Sequence, residues 1–297
     1  MRILVIGASG YIGKKIIRKL YELGHLISIV IREESKIDDI KEYVENIIVY
    51  SKDDEELYSK IELIRPQCLI NLVGKYYSSH NVKTINEMIE SNILFPSLVL
   101  DASVKAGCDT VIHTSSFQQC YMGEYYNPVN FYAATKQSFE DILRFYSDSS
   151  LIKTITLQLF DTYGADDARN KIFNRVRNLR ENDRLDLSEG MQKMYFCYID
   201  DVVEAYVLAF NLLEKEKKGY NEKYSVRGDK PIELKKFIQE YITLMGRKYN
   251  INWGKRGYME REIMNPEGYG TVLPGWKCNI DYDTGINKCV EYDKNNN

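Results

Sequence analysis

The feature of this 297-residue chain that most constrains its fold is a glycine-rich turn close to the amino terminus. The apolar run at residues 3–6 leads into GASGYIG (residues 7–13), and apolar residues then recur at helical spacing up to Leu20. Gly7 permits the tight turn, Gly10 lets the backbone approach a phosphate, and Gly13 lets the helix pack closely on the strand. Because the start of a helix offers unpaired N–H groups and a partial positive charge, the segment is predicted to hold the pyrophosphate of a dinucleotide.

The chain continues to alternate between apolar runs and amphipathic stretches. Strands are predicted at residues 3–6, 27–31, 47–49, 68–73, 111–113, 155–159 and 224–226. Helices are predicted at residues 12–20, 85–106, 135–146, 170–181, 200–213 and 231–244. Continuous apolar strands that alternate with helices are typical of a parallel sheet covered on both faces. We therefore predict an α/β fold, a Rossmann doubly wound parallel sheet with a smaller C-terminal substrate-binding lobe.

The alternation of strands and helices becomes less regular after residue 164, which predicts two domains. Residues 1–164, joined by residues 196–228 that return to the sheet, are expected to form the Rossmann dinucleotide-binding domain. Residues 165–195 and 229–297 are expected to form the smaller substrate-binding lobe. The final EYDKNNN is polar, so it is expected to be disordered.

The composition argues against several classes of function. A net charge of −3 disfavours binding to nucleic acid or to an anionic membrane surface. No apolar stretch approaches the roughly 20 residues that span a bilayer, and the sequence opens directly on a strand, so a cytoplasmic protein is expected. The six cysteines form no CxxC pair and only three histidines are present, so no metal site is expected.

A tyrosine and a lysine form the sequence YxxxK at the start of a predicted helix. Tyr132 and Lys136 are four residues apart, so their side chains share one helix face, and a cation there is expected to lower the pKa of the phenol. Upstream, a predicted strand runs into Thr114-Ser115-Ser116 at the sheet edge where ligands bind. Ser116 is the candidate for binding a substrate oxygen while Tyr132 exchanges its proton, and Ser115 is the alternative because the loop register is uncertain by one residue.

The residue that follows the second strand bears on the choice of dinucleotide. A carboxylate at this place binds the free ribose hydroxyls of NAD, but this chain has Arg32. A guanidinium pairs well with a 2′-phosphate, which favours NADP over NAD. Glu33 and Glu34 beside it leave open the alternative of a solvated surface arginine.

The GxxGxxG spacing, together with Ser116, Tyr132 and Lys136 in this order, resembles the extended branch of the short-chain dehydrogenase/reductase superfamily. Other segments share the resemblance: NLVG (71–74), ESNILFPSLVLDA (90–102), LQLFDTYG (157–164), YIDDVVEA (198–205) and LPGW (273–276). The resemblance implies that Ser116, Tyr132 and Lys136 are catalytic. It further implies a dinucleotide site formed by Gly7, Ser9, Gly10, Tyr11, Ile12, Gly13, Arg32, Val73, Gly74, Asn92, Tyr132 and Lys136. A homodimer built on helices near 85–106 and 131–146 is also implied, with Met88, Phe95 and Phe139 expected on their outward faces.

Later segments are similar to the CDP-abequose and CDP-paratose synthase type, which implies reduction of the 4-keto group of a nucleotide-linked 4-keto-6-deoxy sugar. The expected substrate contacts are Ser115, Phe117, Asp161, Thr162, Arg169, Lys171, Lys193 and Arg261. Many sugar-nucleotide relatives have arginines at the positions of Met194 and Met259. Lys193 and Arg261 are therefore expected to replace those arginines, or the leaving group of the substrate differs.

Three functions stay open at this stage. Sugar 4,6-dehydratases of the superfamily carry Asp-Glu after the catalytic threonine, whereas Phe117-Gln118 stands here, so a dehydratase is disfavoured. An NAD-dependent nucleotide-sugar 4-epimerase needs only the serine, the tyrosine, the lysine and a retained cofactor, so it is the alternative to a reductase. The third possibility is a regulator that binds a dinucleotide without turnover. The nucleotide base and the configuration of the product are not determined by the sequence.

Overall fold

The computed structural model describes residues 1–180 and 182–296. Its strands are β1 (Arg2–Ile6), β2 (Leu26–Ile31), β3 (Asn46–Val49), β4 (Cys68–Asn71), β5 (Thr110–Ser116), β6 (Lys153–Leu159), β7 (Asp161–Tyr163), β8 (Arg184–Asp186), β9 (Lys193–Met194), β10 (Phe196–Tyr198), β11 (Asn221–Val226), β12 (Ile232–Glu233) and β13 (Asn250–Asn252). Its helices are α1 (Tyr11–Glu22), α2 (Asp54–Ile64), α3 (Val82–Ile89), α4 (Phe95–Lys105), α5 (Phe131–Ser150), α6 (Ile172–Arg177), α7 (Ile199–Lys215), α8 (Leu234–Met245) and α9 (Tyr282–Asn296).

A seven-stranded parallel sheet lies at the centre, in the order β11-β6-β5-β4-β1-β2-β3. The predicted α/β fold with a doubly wound parallel sheet is confirmed. The inner strands bury both of their faces, whereas the edge strands β3 and β11 are partly exposed. On β1, Ile3 and Val5 belong to the core shared with α1 and α7, whereas Leu4 and Ile6 belong to the core shared with α2, α4 and α5. This period of two explains why the strands read as continuous apolar runs.

Helix α2 is not predicted by the sequence pattern. Asp53 caps it by accepting a hydrogen bond from the Glu56 N–H at 3.0 Å. Only Leu57 and Ile61, one turn apart, are buried, so its apolar stripe is too short to stand out among acidic neighbours.

The predicted homodimer helices bury residues that we expected on their outward faces. Met88 and Phe139 are both fully buried, so that expectation is wrong for both residues. Phe139 packs in the core that the sheet shares with α2, α4 and α5, because large apolar side chains on a helix beside a sheet turn towards the sheet. The exposed apolar residues of these helices are Val82, Ile89, Leu94 and Phe145.

The C-terminal part of the chain adds small paired strands and three helices. The helix predicted at 170–181 is the shorter α6, and residue 181 lies outside the described residues. The expectation of a disordered tail is wrong for residues 291–296, which belong to α9, while residue 297 is not described. Asp293 explains this order, because its buried carboxylate pairs with Arg177 at 2.7 Å and accepts a hydrogen bond from the Tyr241 hydroxyl at 2.9 Å. Within residues 1–180 and 182–296, no helix has the length and apolar character needed to cross a membrane.

Candidate active site

The glycine turn between β1 and α1 leaves no room for a Cβ atom at Gly7 or Gly13. Gly7 has φ +82°, and a Cβ there would lie 2.7 Å from the carbonyl carbon of Leu72 after β4. A Cβ on Gly13 would collide with the Gly7 carbonyl oxygen, so this glycine sets the close approach of helix and strand. In the described part of the chain, no side chain caps the start of α1. The first N–H groups of this helix therefore remain available to an anionic ligand.

A cavity of about 620 Å³ runs along the carboxyl edge of the sheet from this turn. Of the predicted dinucleotide contacts, those that line the cavity are Gly7, Ser9, Gly10, Arg32, Val73 and Gly74. Ser91, Leu94 and Phe95 also line the cavity, and Phe95 is half-buried there, whereas the sequence predicted it on an outward helix face. Tyr11 instead donates its hydroxyl to Asp166 at 3.1 Å, and Ile12 packs on the core. The volume is in the range of pockets that hold small molecules and cofactors.

Arg32 stands at the wall of this cavity with a largely free side chain. Its guanidinium is 59% exposed and lies 3.3 Å from the Glu34 carboxylate, which is more exposed still. An ion pair of this kind is weak and easily exchanged for a ligand. Glu33 and Glu34 line the same cavity, so the arginine is surrounded by negative charge.

Asn92 connects the loop after β4 to helix α5. It lies in a π-helical turn, Glu90–Leu94, and its side-chain amide bonds both the N–H and the C=O of Lys75, at 2.7 and 3.0 Å. The same amide donates to the Thr135 hydroxyl at 2.9 Å. Asn92 therefore fixes the backbone on which the site is built, and its predicted contact with the cofactor stays a prediction.

Tyr132 and Lys136 meet the segment that follows β4. Helix α5 begins after Asn130, whose side chain accepts a hydrogen bond from the Ala133 N–H at 2.9 Å. Lys136 is buried, and its ammonium donates to the Val73 carbonyl oxygen at 2.9 Å. A Cβ on Gly74 would lie 3.3 Å from the Tyr132 hydroxyl. The YxxxK pair thus lies against two residues, Val73 and Gly74, that line the cavity.

The protonation of this pair differs from the expectation. Burial, together with the neighbouring Tyr76, raises the pKa of Tyr132 to about 12, although Arg169 opposes the shift. Burial also lowers the pKa of Lys136 to about 7. The expected lowering of the Tyr132 pKa is wrong for the chain without a ligand, because desolvation outweighs the attraction of nearby cations.

The two candidate serines at the end of β5 have different surroundings. The Ser115 hydroxyl contacts the side chains of Gln119 and Glu140, on the sheet face covered by α5. The Ser116 side chain accepts a hydrogen bond from the Gln118 N–H at 3.3 Å and begins the turn after the strand. Thr114 points to the same face as Ser116 and lies 2.6 Å from the Tyr206 hydroxyl. Ser115 is therefore engaged within the protein, whereas Ser116 stands at the open end of the strand.

Four of the predicted substrate residues cluster beside the YxxxK pair. Arg169 and Lys171 both donate to the Thr162 carbonyl oxygen, at 3.0 and 3.1 Å, and Arg169 is held by two bonds to Asp167. Asp161 lies next to them, and burial raises the pKa of its carboxyl group although both cations oppose the shift. Among the described residues, the Asp161 Oδ2 atom has no hydrogen-bond partner. The cluster thus offers a buried acceptor and two cations.

The remaining predicted substrate residues lie around this cluster. Phe117 stacks on Phe160 with ring centroids 4.9 Å apart. Arg261 donates to the Pro128 carbonyl oxygen at 3.0 Å and contacts the Asn127 side chain, so its guanidinium is already engaged. Lys193 begins strand β9 at an exposed position.

Sequence reasoning missed a second tyrosine in the site. The Tyr76 ring packs edge-on against Tyr132, with centroids 5.2 Å apart, and burial together with Asp161 and Glu262 raises the pKa of its phenol. The signal that could have found it is its place two residues after Gly74, at the carboxyl end of a parallel strand.

The chain is similar to known proteins over nearly its whole length. Among curated proteins, the chain is 27% identical over 300 residues to CDP-abequose synthase from Salmonella typhimurium, covering 97% of each chain. It is 29% identical over 276 residues to CDP-abequose synthase from Yersinia pseudotuberculosis, covering 90% of this chain and 92% of that one. Among solved structures, UDP-glucose 4-epimerase from Thermotoga maritima, with UDP-glucose, superposes with a TM-score of 0.85 at 20% identity, covering 100% of this chain and 99% of that one. UDP-glucose 4-epimerase from Thermus thermophilus, in complex with NAD, superposes with a TM-score of 0.82 at 20% identity over 99% of each chain.

The family match covers the site described above. Residues 3–226, more than half of the chain, match the profile of the NAD dependent epimerase/dehydratase family. This span includes the glycine turn, the cavity, Ser116 and the YxxxK pair. The chain therefore belongs to the NAD dependent epimerase/dehydratase family.

Proposed function

We propose that the chain reduces the 4-keto group of a nucleotide-linked 4-keto-6-deoxy sugar with NADPH. The observation that carries the proposal is the contact of Tyr132 and Lys136 with Val73 and Gly74, which line the cavity. Ser116 ends β5, the strand beside β4. The two relatives named CDP-abequose synthase support the substrate class, since they match nearly the whole chain.

The turn suits a dinucleotide because Gly7 and Gly13 allow the tight strand-to-helix passage, and the start of α1, which no side chain caps in the described part of the chain, lies beside the cavity that Gly7, Ser9 and Gly10 line. The glycine turn would hold the pyrophosphate, and Lys136 would hold the ribose next to the nicotinamide. When bound there, the cofactor supplies the hydride that adds to C4.

A side chain of the protein supplies the proton that the reduced oxygen needs. The Tyr132 phenol gives its proton to the oxygen on C4 as negative charge develops, and the Ser116 hydroxyl donates a hydrogen bond to the same oxygen. The high pKa of Tyr132 keeps the phenol protonated at neutral pH, which suits a proton donor. After turnover Tyr132 must recover a proton from solvent.

The substrate is proposed to lie between Tyr132 and the Asp161 cluster. The free Asp161 Oδ2 accepts a hydrogen bond from a sugar hydroxyl, and Arg169 and Lys171 provide positive potential for the diphosphate. Phe117, Thr162, Lys193 and Arg261 complete the proposed contacts. For Arg261 to bind a phosphate it must exchange its bonds to the loop at Asn127 and Pro128.

A ligand panel tests the proposed function. Thermal shift is measured with CDP-, dTDP-, UDP- and GDP-sugars in the presence of NADPH or NADH, and stabilising nucleotides are followed by NADPH oxidation on their 4-keto-6-deoxy forms. We expect one nucleotide to raise Tm and its 4-keto sugar to be reduced with equimolar loss of NADPH. Stabilisation by a sugar nucleotide without any NADPH consumption would refute the reductase.

The preference for NADP has its own test in Arg32→Ala. A charge-assisted contact to the 2′-phosphate is lost in this variant, so the Kd for NADPH is expected to rise about tenfold while the Kd for NADH stays unchanged. Fluorescence titration of both reduced cofactors measures this. Lys60→Ala, which removes an exposed cation on α2 paired only with Glu56, is the matched control. An equal effect on both cofactors would contradict the preference.

The alternative function is an NAD-dependent nucleotide-sugar 4-epimerase. It is favoured by the similar structures of two UDP-glucose 4-epimerases, one of them in complex with NAD. It predicts cofactor that co-purifies with the protein and interconversion of two sugar nucleotides without net NADPH consumption. The non-catalytic regulator is disfavoured because Tyr132 and Lys136 are both present. A homodimer through α3, α4 and α5 remains a proposal, now with Val82, Ile89, Leu94 and Phe145 as the exposed apolar residues.

A further inference from the structure

A partly buried ion pair lies near Lys136 and takes no part in the proposed chemistry. The Lys223 ammonium, on strand β11, lies 2.9 Å from the Glu140 carboxylate, on helix α5. The Glu140 side chain is 9% exposed and the Lys223 side chain 20%, so solvent screens the pair little. Lys223 reaches Glu140 from the last strand of the sheet, so the pair joins parts of the chain that are distant in sequence.

Gln119 connects this pair to the turn that begins at Ser116. Its side-chain oxygen accepts from Lys223 at 3.2 Å, and its side-chain nitrogen donates to Glu140 at 2.9 Å and to Gln137 at 3.0 Å. The Ser115 hydroxyl contacts both Gln119 and Glu140. The ion pair is therefore hydrogen-bonded to Ser115, which precedes Ser116, and to Gln119, three residues after it.

The same pair faces Lys136. Glu140 follows Lys136 by one helical turn and Tyr132 by two, which places the three side chains on one face of α5. From the sheet, His113 packs on Phe139, and both His113 and Lys136 are influenced by the charge of Lys223. The titratable groups around Lys136 are thus Tyr132 and Glu140 from α5, His113 from β5 and Lys223 from β11.

We propose that the Glu140–Lys223 ion pair is a positioning device for the proposed reaction, which holds the Ser116 turn in place and balances the electrostatic potential at Lys136. The inference rests on the proposed function for its catalytic meaning. Glu140 and Lys223 are positioning residues, since they act through Ser116 and Lys136.

The two charges act on Lys136 in opposite directions. Glu140 favours the ammonium form of Lys136 and Lys223 disfavours it, while burial keeps the pKa near 7. In Glu140→Gln the uncompensated Lys223 lowers the pKa of Lys136 further. In Lys223→Met the uncompensated Glu140 raises it. A purely structural pair would destabilise the protein in both variants without opposite effects on Lys136.

The test is an NMR titration of the full chain labelled with ¹³Cε-lysine, in which the Lys136 resonance is assigned by its loss in Lys136→Arg. We expect the titration midpoint to move down by about one pH unit in Glu140→Gln and up by about one in Lys223→Met. The double variant is expected to return close to the wild-type midpoint. Lys60→Met, which breaks the exposed pair with Glu56 on α2, is expected to leave the midpoint unchanged.

Midpoints that move in the same direction, or that do not move, would overturn the proposal. If Lys223→Met does not fold, Lys223→Gln keeps a donor for Glu140 and Gln119 while removing the charge, and the same upward shift is expected. With a 4-keto sugar that is turned over, each single variant is expected to lower kcat about tenfold and to shift the alkaline limb of its pH profile with the NMR midpoint. If no sugar nucleotide is turned over, opposite NMR shifts still support the balance at Lys136, and only the proposed function fails.

Discussion

Tyr132→Phe is expected to lower kcat for the 4-keto sugar by about a thousandfold while leaving the Kd for NADPH within about twofold. The substitution removes the proposed proton donor but keeps the ring, which packs edge-on against Tyr76 and beside Gly74. The oxygen on C4 would then develop charge with only the Ser116 hydroxyl to stabilise it. Steady-state NADPH oxidation measures kcat, and fluorescence titration measures cofactor affinity.

The control for this prediction is Tyr58→Phe. The Tyr58 hydroxyl, on α2, donates a hydrogen bond to the Asp101 carboxylate, on α4, at 2.7 Å, and neither residue lines the cavity. This variant is expected to keep kcat within about threefold of wild type. Near-normal turnover in Tyr132→Phe would refute the proposed role of the phenol.

Lys136→Met is expected to reduce kcat/KM by about a hundredfold and, at neutral pH, to make the protein more stable. The loss of activity follows because no cation remains to hold the ribose and assist Tyr132. The gain in stability follows because the lysine is buried, and the hydrogen bond from its ammonium to the Val73 carbonyl oxygen compensates only part of the cost of burying the charge.

The stability difference depends on pH in a defined direction. The pKa of Lys136 is about 7 in the folded chain and 10.5 for an unperturbed lysine. Below pH 7 the folded chain must bury the cation, so the destabilisation by Lys136 is complete. Between these two values the unfolded chain binds more protons than the folded one, so wild-type stability rises with pH, and above the higher value the penalty is gone.

Thermal unfolding at several pH values measures this. At about pH 6.5 the Tm of Lys136→Met is expected to exceed that of wild type by about 3 °C, and by about pH 9.5 the difference is expected to shrink towards zero. Lys60→Met, at an exposed position, is expected to show no pH-dependent difference. A difference in Tm that stays constant across this range would contradict the depressed pKa of Lys136.

Much of the sheet could be predicted from the sequence. The seven predicted strands all occur, within a few residues at their ends, and the glycine turn lies where the βαβ pattern placed it. The YxxxK pair was also identifiable, because both residues lie on one helix and their spacing alone puts them on one face. These signals are local. The period of two in a strand and of 3.6 in a helix determines which side chains share a face, whatever packs against that face.

Contacts between distant segments were not predictable. The sequence offers no sign that Lys223 pairs with Glu140, that Tyr76 packs on Tyr132, or that Asp293 orders the final helix by pairing with Arg177. It also gave the wrong orientation for Met88 and Phe139 and the wrong direction for the pKa of Tyr132. Each of these depends on which elements become neighbours in space.

The glycine turn and the YxxxK pair therefore come from the sequence by itself, as does the class of parallel sheet that carries them. Only the tertiary structure shows that the Ser115 hydroxyl contacts Gln119 and Glu140 while Ser116 begins the turn after β5, and that burial lowers the pKa of Lys136. The physical reason is that spacing along one element determines which side chains share a face, whereas hydrogen-bond partners and desolvation depend on the elements packed against that face.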